Sequence, residues 1–384
     1  MLVAASPLRW LASVALAAVL LIPHPVRGFH QGGVGFCEGC HGLHGVGRND
    51  SGASFLLTGS DASSTCLGCH ADHGAEYAVL SADGSRYTPG GDFYWLGKTF
   101  SWTEGGVRNA SPAERHGHNV VAADFGLSAD GSRRVAPGGT FPAAGLSCTS
   151  CHNPHGQSTP DASAKGPVAG SGSYGARAAP GTRVGDFRLL WGAGEGPSTF
   201  QYASPVARAP EDWAETDRNH VAYGSGTSEW CGNCHAGLVG ESSGIGGGKH
   251  PAGLSARLGA AAAANYNRYV KTGDLSGSRA DSYLALVPVE QGTTDLSVLD
   301  PASTQGPDEG ANVMCLTCHR AHASAFEQAG RWDFSATVLA DSHPRTGDGG
   351  ATGDDARHSY YGRDVIARFG PYQRSLCAKC HPVD

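Results

Sequence analysis

The chain has 384 residues, and glycine supplies 57 of them, about twice the usual share. Only 16% of the residues are charged, and 21 prolines add to the glycines. This composition excludes a chain built mostly of regular helix and strand, because glycine loses more conformational entropy on folding than any other residue. Seven tryptophans, 12 tyrosines and 12 phenylalanines exclude simple disorder. Something other than a large aliphatic core must therefore hold the chain together.

The formal net charge is −7, which argues against nucleic acid as a partner because nucleic acid binds basic surfaces. Residues 1–28 are typical of a secretory signal peptide. Arg9 supplies the positive start, and Leu11 to Ile22 form an apolar run that is short for a membrane span. We predict cleavage after Gly28 and a single domain over residues 29–384. An uncleaved membrane anchor is the alternative for residues 1–28.

All 12 cysteines fall into six copies of the pattern C-x-x-C-H, numbered here motif 1 to motif 6 along the chain. This pattern is the attachment signature of c-type haem. The motifs consist of Cys37, Cys40 and His41; Cys66, Cys69 and His70; Cys148, Cys151 and His152; Cys231, Cys234 and His235; Cys315, Cys318 and His319; and Cys377, Cys380 and His381.

The spacing suits haem chemistry. Two thiols that each add to one vinyl group give two thioether bonds at one haem edge, and the following histidine binds iron as the proximal ligand. Disulfide bonds suit an exported chain, and zinc also binds paired cysteines. Neither alternative explains a histidine after every pair. The pattern therefore predicts six covalently bound haem c groups, each with the histidine of its motif as proximal ligand.

Each haem iron has a second axial position. The only methionine after the first residue is Met314, which lies next to Cys315 and is poorly placed to reach across its own ring. More histidines remain than there are positions to fill, so we expect bis-histidine ligation, which gives a lower potential than Met/His ligation. Iron with both axial positions filled favours electron transfer over catalysis.

Four spare histidines lie three residues after a proximal histidine: His44, His73, His155 and His322. On a helical turn such a pair shares one face, so the second histidine is expected to reach a neighbouring, closely packed haem. The less regular candidates are His30, His118 and His250. The alternative for each is a surface histidine or one that contacts a propionate. No supporting context surrounds His220, His343 and His358, which are interpreted as non-ligands.

Between the motifs, the sequence predicts mostly loops. The segments 81–91 and 128–139 share Ser-Ala-Asp-Gly-Ser-Arg followed by Pro-Gly-Gly, which indicates turns and the option of short hairpins. The gaps from motif 2 to motif 5 are nearly equal in length, yet their sequences do not look like copies. Residues 157–186 and 340–356 are expected to be loops. Helices are predicted over Ser255 to Lys271 and Ser278 to Leu286, and short helices after each motif.

Taken together, these motifs resemble the OmcS-like hexahaem outer-surface cytochromes of metal-reducing bacteria, a family that polymerises into conductive filaments. The resemblance extends over nearly the whole mature chain. Besides the C-x-x-C-H motifs, it is carried by Phe29 to Gly33, Pro89 to Phe93, Gly117 to Asn119, Val221 to Cys231, His250 to Gly253, Tyr266 to Leu286, Cys315 to Ser324, Tyr360 to Arg363 and Pro371 to Arg374. Loops at 71–80, 236–249 and 340–356 depart from the family pattern.

The resemblance implies a mostly irregular, loop-dominated fold with short α-helices and a few short β-hairpins, organised around six stacked bis-histidine haems. It implies seven distal candidates for six positions: His30, His44, His73, His118, His155, His250 and His322. It also implies that His44 binds the fifth haem of the adjacent subunit, so that copies of the chain join head to tail. His116 falls where the family pattern has no histidine.

The expected function is electron transfer from haem to haem across and beyond the cell surface. The expected partners are further copies of the chain, other redox cytochromes and extracellular acceptors such as metal oxides or other cells. One alternative is a monomeric periplasmic electron carrier. Another is a multihaem oxyanion reductase, which would need one open iron and often an altered motif, whereas all six motifs here are regular.

Overall fold

The structure is a computed structural model that describes residues 37–42, 57–72, 78–154, 187–197, 200–210, 212–239 and 250–382. The predicted signal peptide and the predicted loop at 157–186 lie outside these residues. Within them the chain is mostly irregular, with short helices and two small antiparallel pairs of strands. The prediction of a loop-dominated fold with few regular elements is confirmed. No helix among the described residues is long and apolar enough to span a membrane.

The α-helices are short, and five of them contain a cysteine pair. In chain order they are α1 (Cys37–Cys40), α2 (Ala62–His70), α3 (Cys148–Cys151), α4 (Thr227–His235), α5 (Gly259–Arg268), α6 (Cys315–Cys318), α7 (Asp355–Ser359) and α8 (Val365–Phe369). Only α2 and α4 also include the histidine of their motif, and motif 6 begins in a 3₁₀ turn, Leu376–Lys379. Of the short helices predicted after each motif, a 3₁₀ turn, Ala236–Leu238, follows motif 4, and none directly follows motif 5. After motifs 1 to 3 the prediction falls mostly outside the described residues.

The sequence of motifs 3 and 5 explains why α3 and α6 are so short. The Ser150 hydroxyl accepts the backbone N–H of Ser147 at 3.0 Å, and the Thr317 hydroxyl accepts that of Met314 at 3.0 Å, so a motif side chain closes each helix start. Each helix ends at its second cysteine because the next residue, His152 or His319, has an extended backbone. The extended backbone turns each proximal histidine out of the helix.

The two longer predicted helices have different outcomes. The alanine-rich segment forms α5, which is shorter than predicted at both ends. The segment Ser278 to Leu286 contains only the 3₁₀ turn Arg279–Asp281, so that helix prediction is wrong. Its backbone is held by distant side chains, because the N–H of Ala285 donates to the Asp217 carboxylate at 2.8 Å instead of to a carbonyl of its own turn.

Two antiparallel strand pairs complete the regular structure. Strand β1 (Phe100–Glu104) pairs with β2 (Val107–Ser111) across a Gly-Gly turn, and β3 (Val206–Arg208) pairs with β4 (Ala222–Ser225). The segment 81–91 forms no strand, so the option of a hairpin there is wrong. The segment 128–139 enters a minimal hairpin, in which Val135 pairs antiparallel with Pro142 and the N–H of Ala136 donates to the Phe141 carbonyl at 2.8 Å. Each segment contains a turn in which an aspartate, Asp83 or Asp130, accepts the N–H two residues later.

The buried apolar residues form several small clusters instead of one large core. One surrounds Trp95 and Phe100, a second surrounds Tyr266 and Trp332, and a third contains Met314. Glycine allows segments to pack closely between them. A Cβ atom at Gly139 would collide with the carbonyl oxygen of Cys234, so this loop can lie against motif 4 only without a side chain.

Candidate haem sites

Motifs that are consecutive in the sequence are also neighbours in space. At each step one cysteine lies close enough to raise the pKa of another: Cys40 and Cys148 that of Cys66, Cys234 that of Cys151, Cys315 that of Cys231, and Cys377 and Cys380 that of Cys318. Groups attached to these cysteines would therefore be neighbours in chain order.

Two of these cysteine pairs shift each other's pKa in the same way. Cys148 and burial raise the pKa of the Cys66 thiol, while Cys66 lowers that of Cys148. In the same way the pKa of Cys231 is raised by Cys315, and the pKa of Cys315 is lowered to about 7 by Cys231. Before haem attachment consumes these thiols, the steps from motif 2 to 3 and from motif 4 to 5 thus each place two of them side by side.

Three candidate distal histidines lie opposite a proximal histidine of another segment. The ring centroids of His118 and His235 are 5.9 Å apart, those of His152 and His322 are 6.3 Å apart, and those of His250 and His381 are 6.0 Å apart. Two imidazoles on opposite sides of one metal ion need roughly 6 Å between centroids, because each metal–nitrogen bond is about 2 Å. The three separations fit iron between the rings.

Hydrogen bonds orient these imidazoles for metal binding. In each of six histidines the Nδ1 atom hydrogen-bonds to a backbone carbonyl at 2.7–3.3 Å: His118 to Ala321, His152 to Arg188, His235 to Pro137, His250 to Pro251, His319 to Gln328, and His322 to Gly91. A carbonyl accepts only from a protonated Nδ1, which leaves the Nε2 lone pair for a metal. Hydrogen bonds to the backbone therefore fix the tautomer that metal binding through Nε2 requires.

Burial also favours the neutral form of four of these rings. It lowers the pKa of His118, His152 and His319, and it lowers the pKa of His322 to about 3. Only the neutral imidazole has a lone pair for a metal ion. The environment therefore favours the protonation state that axial ligation requires.

His322 lies beside a neighbouring motif, as predicted, but the structural reason differs from the predicted one. The backbone of His319 itself is extended and α6 ends before it, so His319 and His322 do not share a face of a helical turn. Instead, the backbone N–H of His322 donates to the Gly90 carbonyl at 2.7 Å, and its ring lies beside His152 of motif 3. The spare histidine thus lies beside a neighbouring motif because a long-range strand-like contact carries it there.

The histidines interpreted as non-ligands have other partners. Both ring nitrogens of His116 and of His220 are hydrogen-bonded to protein atoms. His343 bonds to Asp348 and stacks on Trp102, and His358 bonds to a backbone carbonyl. The candidates His30, His44, His73 and His155 lie outside the described residues. Among the described residues the ring contact of His319 is with Phe334, and no other histidine ring lies beside it.

Sequence reasoning missed a buried charge cluster beside motif 5. The Glu215 carboxylate is buried and contacts the guanidinium groups of Arg320 at 2.8 Å, Arg331 at 3.2 Å and Arg363 at 3.7 Å. Nitrogens of Arg320 and Arg331 remain buried without a hydrogen-bond partner in the described structure. The only sequence signal was the position of Arg320 directly after His319. Spare buried cationic donors beside an attachment motif fit the propionate carboxylates of haem.

The zinc alternative has no geometric support in the described part of the chain. No three His, Cys, Asp or Glu side chains converge there as a metal site of that kind requires. The ring separations, the hydrogen-bonded tautomers and the spare arginine donors instead fit haem.

Comparison with known proteins agrees with this geometry. No protein-family model matches the chain. The chain is 39% identical to the C-type cytochrome OmcS of Geobacter sulfurreducens, over 97% of this chain and 98% of that protein. It is similar to the solved outer membrane cytochrome S filament of that organism, with a TM-score of 0.75 and 40% identity over 93% of this chain and all of the other. A cryo-EM structure of OmcS nanowires matches with the same TM-score, 37% identity and the same coverage. The chain therefore belongs to the OmcS family of multihaem c-type cytochromes and carries covalently bound haem c.

Proposed function

We propose that this cytochrome carries electrons along its six motifs as a subunit of an extracellular conductive filament. The single observation that carries the proposal is that motifs consecutive in the sequence are neighbours in space, with hydrogen bonds that link motif 2 to 3, motif 3 to 4 through Trp191, and motif 4 to 5. The relatives named for filaments and nanowires, which match this chain over 93% of its length, support the extracellular polymer. Metal oxides and other cells are the acceptors that suit such a filament, and other redox cytochromes are the partners that suit its ends.

When bound, each haem supplies an iron that cycles between the ferric and ferrous states. The protein holds both axial positions and sets the environment that tunes the potential. In this proposal His118 and His235 are the axial pair of motif 4, His322 and His152 that of motif 3, and His250 and His381 that of motif 6. With both sides occupied by imidazole, no position remains for a substrate. The proposed chain is thus an electron-transfer protein without a catalytic reductase site.

The remaining proximal histidines are His41, His70 and His319 of motifs 1, 2 and 5. Their distal ligands are proposed among His30, His44, His73 and His155, which is one more than needed. We assign His44 to the fifth haem of an adjacent subunit. This assignment follows the resemblance to the OmcS family. A ligand donated from subunit to subunit is a heterologous contact, which generates an open filament unless the rotation closes a ring.

Arginine side chains are proposed to bind the haem carboxylates. Arg320 and Arg331 have buried N–H groups without protein partners, and their positive charge exceeds that of the single Glu215 carboxylate. Ionised donors make strong hydrogen bonds to carboxylates. This role accounts for three arginines packed around one glutamate in a chain with few charged residues.

Haem analysis and electron microscopy test the proposed function. The pyridine haemochrome assay of the secreted protein should give six haems per chain, all retained after acid–acetone extraction. Negative-stain images of native material should show threads. Discrete particles would favour the periplasmic carrier, and release of haem would contradict covalent attachment. Secretion itself tests the export signal proposed for residues 1–28.

The shared ligand has its own test. The variant His44→Ala should retain six haems but fail to form filaments, because the neighbouring subunit loses an iron ligand. His358→Ala is the matched control, since it removes a histidine outside the proposed ligand set. Normal filaments from His44→Ala would rule out ligation between subunits while leaving haem attachment intact.

A further inference from the structure

Two serines occupy equivalent positions at the steps from motif 2 to motif 3 and from motif 4 to motif 5. Ser63 lies three residues before Cys66 in α2, and Ser228 lies three residues before Cys231 in α4. Both helices have nine residues and end at their proximal histidine. Neither serine exposes any surface. The two positions therefore correspond both in the sequence of their motifs and in their burial.

Each serine hydroxyl binds the backbone of the next motif. Ser63 accepts the N–H of Cys148 at 3.1 Å, and Ser228 accepts the N–H of Cys315 at 3.0 Å. These N–H groups belong to the first residue of α3 and of α6, where a helix has no carbonyl partner of its own. The serine of one motif helix thus caps the helix of the following motif over a separation of more than 80 residues.

The same steps bring cysteines of consecutive motifs together, Cys66 with Cys148 and Cys231 with Cys315. In each case the serine bond holds the backbone of the cysteine that lies beside the preceding motif. One buried hydroxyl therefore connects each of these attachment sites directly to the next.

The step from motif 3 to motif 4 is built differently. Among the described residues the two helices are linked through Trp191, which belongs to neither. Its indole N–H donates to the Thr149 carbonyl at 2.8 Å, and its own carbonyl accepts the indole N–H of Trp230 at 2.9 Å. The direct serine link is thus a feature of particular steps and not a general consequence of close packing.

We infer that Ser63 and Ser228 are positioning residues that set the relative placement of the haems at motifs 2 and 3 and at motifs 4 and 5. The inference rests on the proposed function, because it concerns the geometry along which electrons pass. Removal of either hydroxyl leaves a buried N–H without an acceptor, and the following motif helix has to shift to satisfy it. Each variant should therefore disturb one step and leave the other unchanged.

Soret circular dichroism of the purified six-haem protein measures this geometry. Neighbouring chromophores give a band with positive and negative lobes whose amplitude depends on their separation and relative orientation. Ser63→Ala and Ser228→Ala should each keep six haems by the pyridine haemochrome assay and lose part of this amplitude, and the double variant should lose the sum. Ser359→Ala is the matched control, because Ser359 is equally buried and bonds to a carbonyl within α7.

The outcomes separate the inference from the proposed function. Six haems and the full amplitude in both alanine variants would overturn the positioning role. If the alanine variants do not accumulate, Ser63→Thr and Ser228→Thr, which keep the hydroxyl, should restore six haems and the full amplitude. Threonine variants that accumulate as poorly as the alanine variants would also overturn the positioning role. Wild-type protein without six haems would instead overturn the proposed function, and the serine inference with it.

Discussion

The surroundings of motifs 3 and 5 share one hydrogen-bonded skeleton. We define the motif 3 unit as α3 with residues 187–191, and the motif 5 unit as α6 with residues 327–331. In the first, His152 Nδ1 hydrogen-bonds to the Arg188 carbonyl at 2.8 Å; in the second, His319 Nδ1 hydrogen-bonds to the Gln328 carbonyl at 2.8 Å. The residue that supplies each carbonyl, and the residue after it, adopt positive φ angles of 54–60°.

The correspondence continues in residues 187–191 and 327–331, which hydrogen-bond back to the two motifs. The N–H groups of Trp191 and Arg331 donate to the carbonyls of Cys151 and Cys318. Their side chains also match, because the Trp191 indole donates to the carbonyl of Thr149 and the Arg331 Nε donates to that of Leu316. The connecting segment, however, runs from 153 to 186 in one unit and from 320 to 326 in the other.

The two units differ in charge. Trp191 is neutral and half-buried, whereas Arg331 is buried and faces the Glu215 carboxylate. The shared skeleton orients a proximal histidine in both units, while the residue at the equivalent position is neutral in one unit and cationic in the other. Attachment geometry and electrostatic environment are thus set by separate parts of the same unit.

The largest expected effect comes from removing the counter-charge of the motif 5 unit. Glu215→Gln removes the one protein carboxylate that Arg320 and Arg331 share, and breaking a buried ion pair costs about 3–5 kcal/mol. Guanidinium unfolding followed by far-UV circular dichroism should show this loss. Glu327→Gln is the control, because its partner Arg115 is half-exposed and such pairs contribute about 0–1 kcal/mol. Equal losses in both variants would mean that the cluster does not support the unit.

The Glu215 carboxylate should also make the stability of the protein depend on pH. Burial alone would raise the pKa of Glu215, but Arg320, Arg331 and Arg363 outweigh it and hold the pKa below the ordinary 4.5. A folded-state pKa below the unfolded one stabilises the protein above about pH 4.5, and this contribution disappears as the pH falls through the folded pKa. The stability gap between wild type and Glu215→Gln should therefore narrow in acid. A gap that stays constant from pH 7 to pH 3 would contradict the assignment.

The side chains at the equivalent positions, Trp191 and Arg331, should contribute unequally to the free energy of unfolding. Trp191→Phe removes one neutral hydrogen bond and should cost about 1 kcal/mol. Arg331→Leu removes the corresponding bond to Leu316 and a charged bond to Glu215, and should cost about 2–3 kcal/mol. Denaturation midpoints of the two variants, with m-values checked for equality, provide the comparison. A larger loss of stability in Trp191→Phe than in Arg331→Leu would contradict our description of the two units.

The smallest effect is expected at the positive-φ residues and should be the same in both units. A non-glycine residue in the left-handed region costs about 1 kcal/mol, but glycine loses about 0.5–1 kcal/mol more entropy on folding. Arg188→Gly and Gln328→Gly should therefore change the free energy of unfolding by less than about 1 kcal/mol, and in the same direction. Thermal midpoints that move in opposite directions would show that the skeleton is not equivalent.

This duplication was not visible in the sequence. Motifs 2 to 5 are evenly spaced, but the intervening residues do not look like copies, because hydrogen bonds between backbone groups do not specify side chains. The Ser278 to Leu286 segment failed as a helix for a related reason, since distant side chains such as Asp217 supply its hydrogen bonds. The Glu215 cluster contains residues from three segments that are far apart in the sequence. The local sequence of each segment does not indicate that they come together.

The sequence by itself determined the chemistry of this protein: six C-x-x-C-H motifs, more histidines than axial positions and a glycine-rich chain without a large aliphatic core. These properties are local, because attachment needs two thiols and a histidine at fixed spacing. Only the tertiary structure decided which rings face each other, as His322 does His152, and which motifs are neighbours. Pairing across more than 100 residues of chain depends on backbone bonds and close packing that no single segment specifies.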